Sequence, residues 1–296
     1  MKVKYLIIGV FLITLSSCSQ EDESHYTPVV VEPSTNATDI YIKNNIMDPY
    51  NSRVVWKWQN QLINYSSYVT PPQERVVIPA VDMLKTYWIN PYEKAENGKE
   101  FLKTYFPPEF VFIGSPLYNG DGTVTLGVAE AGMRITLTEL DYFSATSRAF
   151  VLRQMHTVHH EYTHIIHQQN KLPEGYKDVN PKFTGSEWIN IKDDGKECVK
   201  LGMVTPYGTS SENEDFAELV STYLTTSESD FNTAFITPQT CTGTTAEIEA
   251  CNELNTGKAF VATKLAMTKE YYKNKFKLDI DEVRDEVVSQ ILANTK

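Results

Sequence analysis

His160-Glu161-Tyr162-Thr163-His164 sits inside a run that holds five of the chain's six histidines, between His156 and His167. On a helix, the H-E-x-x-H spacing places two imidazoles one turn apart on one face, where both can bind one zinc ion. The glutamate then stands where it can take a proton from metal-bound water. Hydrolytic metal chemistry is the first expectation.

Working outward, a helix is expected from about Ser147 to Asn170, with Pro173 beyond its end. At ~100° per residue, Val151, Met155, Val158, Tyr162 and Ile165 form one apolar stripe, and His156, His160, His164 and His167 line up nearly opposite. One face should meet a core and the other a polar space. A single histidine on such a face would be an ordinary polar residue; four on one strip form a dense set of nitrogen donors.

A catalytic zinc needs a third protein ligand, with the fourth position left to water. His167 lies on the correct face but roughly 10 Å along the axis from His160 at ~1.5 Å per residue, too far to join the same ion. The longer pattern H-E-x-x-H-x-x-G-x-x-H is not met, because His167 stands at its glycine and Asn170 at its last histidine. A better source lies in Tyr207-Gly208-Thr209-Ser210-Ser211-Glu212-Asn213-Glu214-Asp215-Phe216-Ala217-Glu218. Glu214 and Glu218 are i,i+4 neighbours, which suits one carboxylate that ligates the metal and another that accepts a hydrogen bond from the far nitrogen of a ligand histidine. The competing view is a capping box, since Ser211-x-x-Glu214 has the S-x-x-E form. His156, His159 and His167 are left for hydrogen-bonding or cleft-lining roles, and Tyr162 for packing.

These two blocks, about fifty residues apart, resemble the catalytic domain of anthrax lethal factor and the Pro-Pro endopeptidases. Over most of its length the chain is similar to the Bacteroidetes substrate import-associated zinc metallohydrolase lipoproteins, a metallopeptidase group found beside TonB-dependent transporters. The resemblance implies a zincin fold and one zinc ion per chain held by His160, His164 and Glu214, with Glu161 as general base. It further implies that Tyr207 points its hydroxyl at the developing oxyanion and that Glu218 backs a ligand. In zincins the strand upstream of the active-site helix commonly pairs with an extended peptide; Gly127 to Leu137 is the candidate edge, with an ordinary core strand as the alternative.

The fold class expected is α+β: a small antiparallel sheet, the active-site helix, and a mostly helical C-terminal part. Strand-like runs are Phe110 to Ile113, Thr123 to Val128 and Met133 to Leu137, with a turn signal at Asn119-Gly120-Asp121-Gly122 between the first two. Helices are expected near Val76 to Trp88, Ser211 to Thr225, Lys258 to Lys275 and Asp279 to Ala293, the last two with mixed charges on their outer faces.

Residues 1–17 read as a signal peptide: Lys2 and Lys4 precede the apolar run Leu6 to Leu15, which is far shorter than the ~20 residues of a membrane span. Leu15-Ser16-Ser17-Cys18 resembles a bacterial lipobox that leaves Cys18 lipidated. Ser19-Gln20-Glu21-Asp22-Glu23 looks like the acidic export signal of Bacteroides-group lipoproteins, or a plain acidic linker. Residues 18–38 would be a tether to the outer membrane, and 39–296 the catalytic domain, with sub-lobes about 39–172 and 173–296. The expected location is the cell surface.

Removing Lys2 and Lys4 with residues 1–17 takes the formal net charge from −11 to −13, which gives no electrostatic footprint for nucleic acid. Cys241 and Cys251 are close enough for a small disulfide loop, leaving Cys198 as a buried thiol. The functions expected are a surface zinc peptidase acting on peptides or glycoproteins for import, or a silent substrate-binding lipoprotein on the same scaffold serving a TonB-dependent transporter. A histidine face that scavenges metal is a third.

Overall fold

In the computed structural model, residues 34–59, 69–118, 124–125, 127–130, 133–192 and 194–296 are described. The signal peptide, the lipobox, residues 18–33 of the tether and the turn Asn119-Gly120-Asp121-Gly122 lie outside them. Residues Thr35–Lys296 pack as one unit. Among the described residues, no helix is long and apolar enough to cross a membrane.

Four short strands form the main sheet: β1 (Arg53–Val55), β2 (Glu109–Phe112), β5 (Gly127–Glu130) and β6 (Arg134–Leu137), in the order β1-β2-β6-β5. β3 (Leu117–Tyr118) and β4 (Val124–Thr125) make a separate two-stranded ribbon. The expected antiparallel sheet is corrected here, because β1, β2 and β6 run parallel and only β5 is antiparallel to its neighbour β6.

The reason lies in the connections. Parallel neighbours need a crossover, and the chain passes from β1 to β2 through helices Glu74–Leu84 and Gly98–Tyr105. The turn signal at 119–122 falls between β3 and β4, which pair with each other, rather than between paired versions of the expected runs 110–113 and 123–128, since β2 pairs with β6. Register is marked by charge: Arg53, Glu109 and Arg134 stand opposite one another on three strands, and Glu109, buried, pairs with both arginines.

The histidine helix, Arg148–Asn170, starts where Ser147 Oγ accepts the Phe150 N–H at 3.3 Å. Its apolar stripe Val151, Met155, Val158, Tyr162 and Ile165 is fully buried. Tyr162 meets Trp88 and Tyr92 edge-on, with ring centroids 5.1 and 5.7 Å apart. Each such side chain contributes about 1.5–3 kcal/mol through burial. The opposite face is not open to solvent: His160, His164 and His167 are buried as well. The helix that covers them is Glu212–Thr225, capped by Ser211.

Two further helices close the fold, Thr245–Tyr271 and Ile280–Asn294. Cys241 and Cys251 form a disulfide just before and within the first of these, and Cys198 is a buried free thiol. Gly257 sits mid-helix because nothing larger fits: a Cβ there would lie 1.7 Å from the Val199 carbonyl oxygen. Alanine normally favours a helix over glycine by about 1 kcal/mol, but here the obstacle is backbone. Gly257→Ala is therefore expected to lower stability by about 1–3 kcal/mol, read as a reduced denaturant midpoint.

Candidate metal centre and active site

His160 and His164, one turn apart on the histidine helix, bring their Nε2 atoms to 3.0 Å. Glu214 comes from the first turn of the facing helix, and its Oε2 lies 3.1 Å from each of those nitrogens. Ser211 Oγ accepts the Glu214 N–H at 3.3 Å, so the cap forms. The Glu214 carboxylate itself turns to the histidines rather than back to the cap.

Two imidazole nitrogens and a carboxylate oxygen are a donor set suited to a catalytic zinc. Tetrahedral donors at ~2.05 Å from an ion stand roughly 3.3 Å from one another, close to the spacing here. The residues fit a single divalent cation.

A second group, His156, His160 and Glu218, also clusters closely enough to hold an ion. It uses His160 through Nδ1, the nitrogen facing away from Glu214, and Glu218 Oε1 lies only 2.7 Å from it. That is the carboxylate–imidazole contact that orients a ligand histidine. Both Glu218 oxygens are 3.2 Å from His156 Nε2, and Ser221 Oγ is 3.4 Å from the same nitrogen. His156 is partly exposed at the rim. His167 is buried, with its Nε2 2.8 Å from His164 Nδ1. His159 is a core residue stacked on Tyr92, and burial, with His156 nearby, holds its pKa down at about 3.

The electrostatics favour a cation. Burial opposes charge on His160, yet Glu214, Glu218 and Glu161 outweigh it and hold that imidazole up at about 10. Burial likewise opposes the Glu214 carboxylate, but His160 and His164 bring it down to about 2. Glu218 lies well below the ordinary carboxylate range, because its two histidine neighbours overcome its burial. Glu161 is buried beside this cluster, and its charge is felt at both His160 and Tyr207.

Tyr207 lies in the 3-10 turn Tyr207–Thr209 just before the Glu214 helix, its ring 5.9 Å from that of His160. Burial, then Glu214, Glu161 and Glu218, push its phenol far up, so it keeps its proton and can donate it in a hydrogen bond. Trp188 packs edge-on against Tyr207 at 4.9 Å. The loop carrying Trp188 is clasped to the Tyr207 turn by Thr184, whose N–H donates to the Thr209 carbonyl at 2.7 Å. Sequence reading missed Trp188.

An H-E-x-x-H helix facing a glutamate-bearing helix brings together His and Glu side chains that could hold a metal ion. Residues 32–281 match the sequence model of a family described as "putative zinc-binding metallo-peptidase", and the chain belongs to that family. The fold is similar to the crystal structure of a "putative zinc-binding metallo-peptidase" from Bacteroides caccae ATCC 43185, with 27% sequence identity and a TM-score of 0.66. That similarity covers 86% of this chain and 91% of the other. No curated protein matches the chain.

Proposed function

We propose that this protein is a zinc-dependent peptidase anchored by a lipid on Cys18 to the outer face of the outer membrane, where it trims peptides or glycoproteins for import through a TonB-dependent system. The observation that carries the catalytic part is the convergence of His160 Nε2, His164 Nε2 and Glu214 Oε2 to within 3.1 Å of one another, with Glu161 buried beside them. Zinc held by these three residues supplies Lewis acidity, acidifying water and polarising a carbonyl.

The chain's own groups do the rest. Glu161 takes the proton from the attacking water and passes it to the leaving amine. Tyr207, kept protonated, donates a hydrogen bond to the carbonyl oxygen as negative charge grows there. Glu218 fixes the His160 ring through Nδ1. Among the described residues β5 is the antiparallel edge of the sheet, and it packs on the histidine helix, so its outer side would offer backbone hydrogen bonds to an extended peptide. β6, the other half of the 127–137 stretch, is interior to the sheet.

Cleavage profiling on a peptide library, with and without a zinc chelator, tests the activity. The expected result is a set of cleaved bonds that disappears with chelation; zinc bound without any cleavage would favour the substrate-binding alternative. Tyr207→Phe is expected to keep zinc and lower kcat by about 10²–10³, as for loss of one oxyanion donor. Protease accessibility of the protein on intact cells, compared with a Cys18→Ser variant, tests the surface anchor, and protection in the wild type would count against it.

A further inference from the structure

We propose that His167 is a positioning residue for the metal centre: it accepts a hydrogen bond from His164 Nδ1 and so holds that ligand's ring with Nε2 turned towards His160 and Glu214. This rests on the zinc reading above. His164 Nδ1 and His167 Nε2 are 2.8 Å apart. The opposite nitrogen of His164 is 3.0 Å from His160 Nε2 and 3.1 Å from Glu214 Oε2.

A neutral histidine that presents its lone pair at Nε2 carries its proton on Nδ1. His164 is thus the donor and His167 Nε2 the acceptor, which leaves the His167 proton on Nδ1. The arrangement is fixed by its surroundings. Both residues are buried, they lie three apart on one helix, and their ring centroids are 5.0 Å apart at 70°. Phe216, from the helix that supplies Glu214, stands edge-on to the His167 ring at 6.3 Å. The two histidines therefore have unlike neighbours at Nδ1: for His160 the Glu218 carboxylate, 2.7 Å away across the helix pair, and for His164 an imidazole on its own helix.

Loss of such a partner typically weakens metal binding by about 10–100-fold. Side-chain length separates positioning from mere packing: the amide of glutamine reaches the place of Nε2, whereas that of asparagine stops near Nδ1. Zinc affinity of the full chain is measured by competition with a chromophoric chelator, with circular dichroism of the metal-free variants as a check on folding. His167→Asn and His167→Phe are expected to bind zinc about 10–100-fold more weakly, and His167→Gln within about threefold of wild type. Equal affinity in wild type and His167→Asn, or equal losses in the glutamine and asparagine variants, would overturn the proposal. A wild-type chain that binds no zinc would instead overturn the zinc reading, and this assignment with it.

Discussion

Glu161→Gln is expected to keep one zinc ion per chain and to lower peptide hydrolysis by about 10²–10⁴-fold. Glutamine preserves the size of the side chain and removes only its basicity, so it separates proton transfer from metal binding. Glu161 is placed for that task. It directly follows His160, a proposed ligand; it is buried, and its charge reaches both His160 and Tyr207. It is not among the three groups that converge on the metal position. The check is kcat on a cleaved peptide alongside zinc content by elemental analysis. Unchanged turnover would refute the mechanism, and lost zinc would mean that Glu161 holds the site rather than serving as its base.

The second large effect concerns stability. Lys264→Met is expected to destabilise the fold by about 3–5 kcal/mol, because it strands a buried carboxylate. Lys264 Nζ bonds Asp215 Oδ2 at 2.6 Å and the Gly202 carbonyl at 3.1 Å, and both side chains of the pair are at most 2% exposed. Asp215 neighbours Glu214, so the pair ties the metal-site helix to the long helix Thr245–Tyr271. In thermal unfolding the loss should read as a drop on the order of 10 °C. A Lys264→Met/Asp215→Asn double variant should recover much of it, since no unpaired charge remains. Additive losses in that cycle would show that the two side chains are not coupled.

The metal-site helices were legible because their signals are local. Ser147 and Pro173 bracket the histidine helix, and Ser211 caps the helix of Glu214 and Glu218. The sheet was not, because pairing β1 with β2 and β2 with β6 joins residues far apart in sequence, and strands this short carry little pattern of their own. The long helix begins at a capping box, Thr244 with Glu247, well before the expected Lys258. Its inward positions include Lys258 and Lys264, and the C-terminal helix buries Arg284, whereas the charges of both helices were expected on outer faces. Lys258 donates to the Thr233 and Thr237 carbonyls, partners that no periodicity discloses. The His164–His167 bond was hidden differently, since i,i+3 spacing permits such a contact without specifying which nitrogens meet.

Anomalous diffraction at the zinc edge, from crystals of the full chain grown with equimolar zinc, tests the central claim most directly. The account predicts one strong peak per chain at ~2.0–2.2 Å from His160 Nε2, His164 Nε2 and Glu214 Oε2. No peak there, or an ion held by His156 and Glu218 instead, would contradict it.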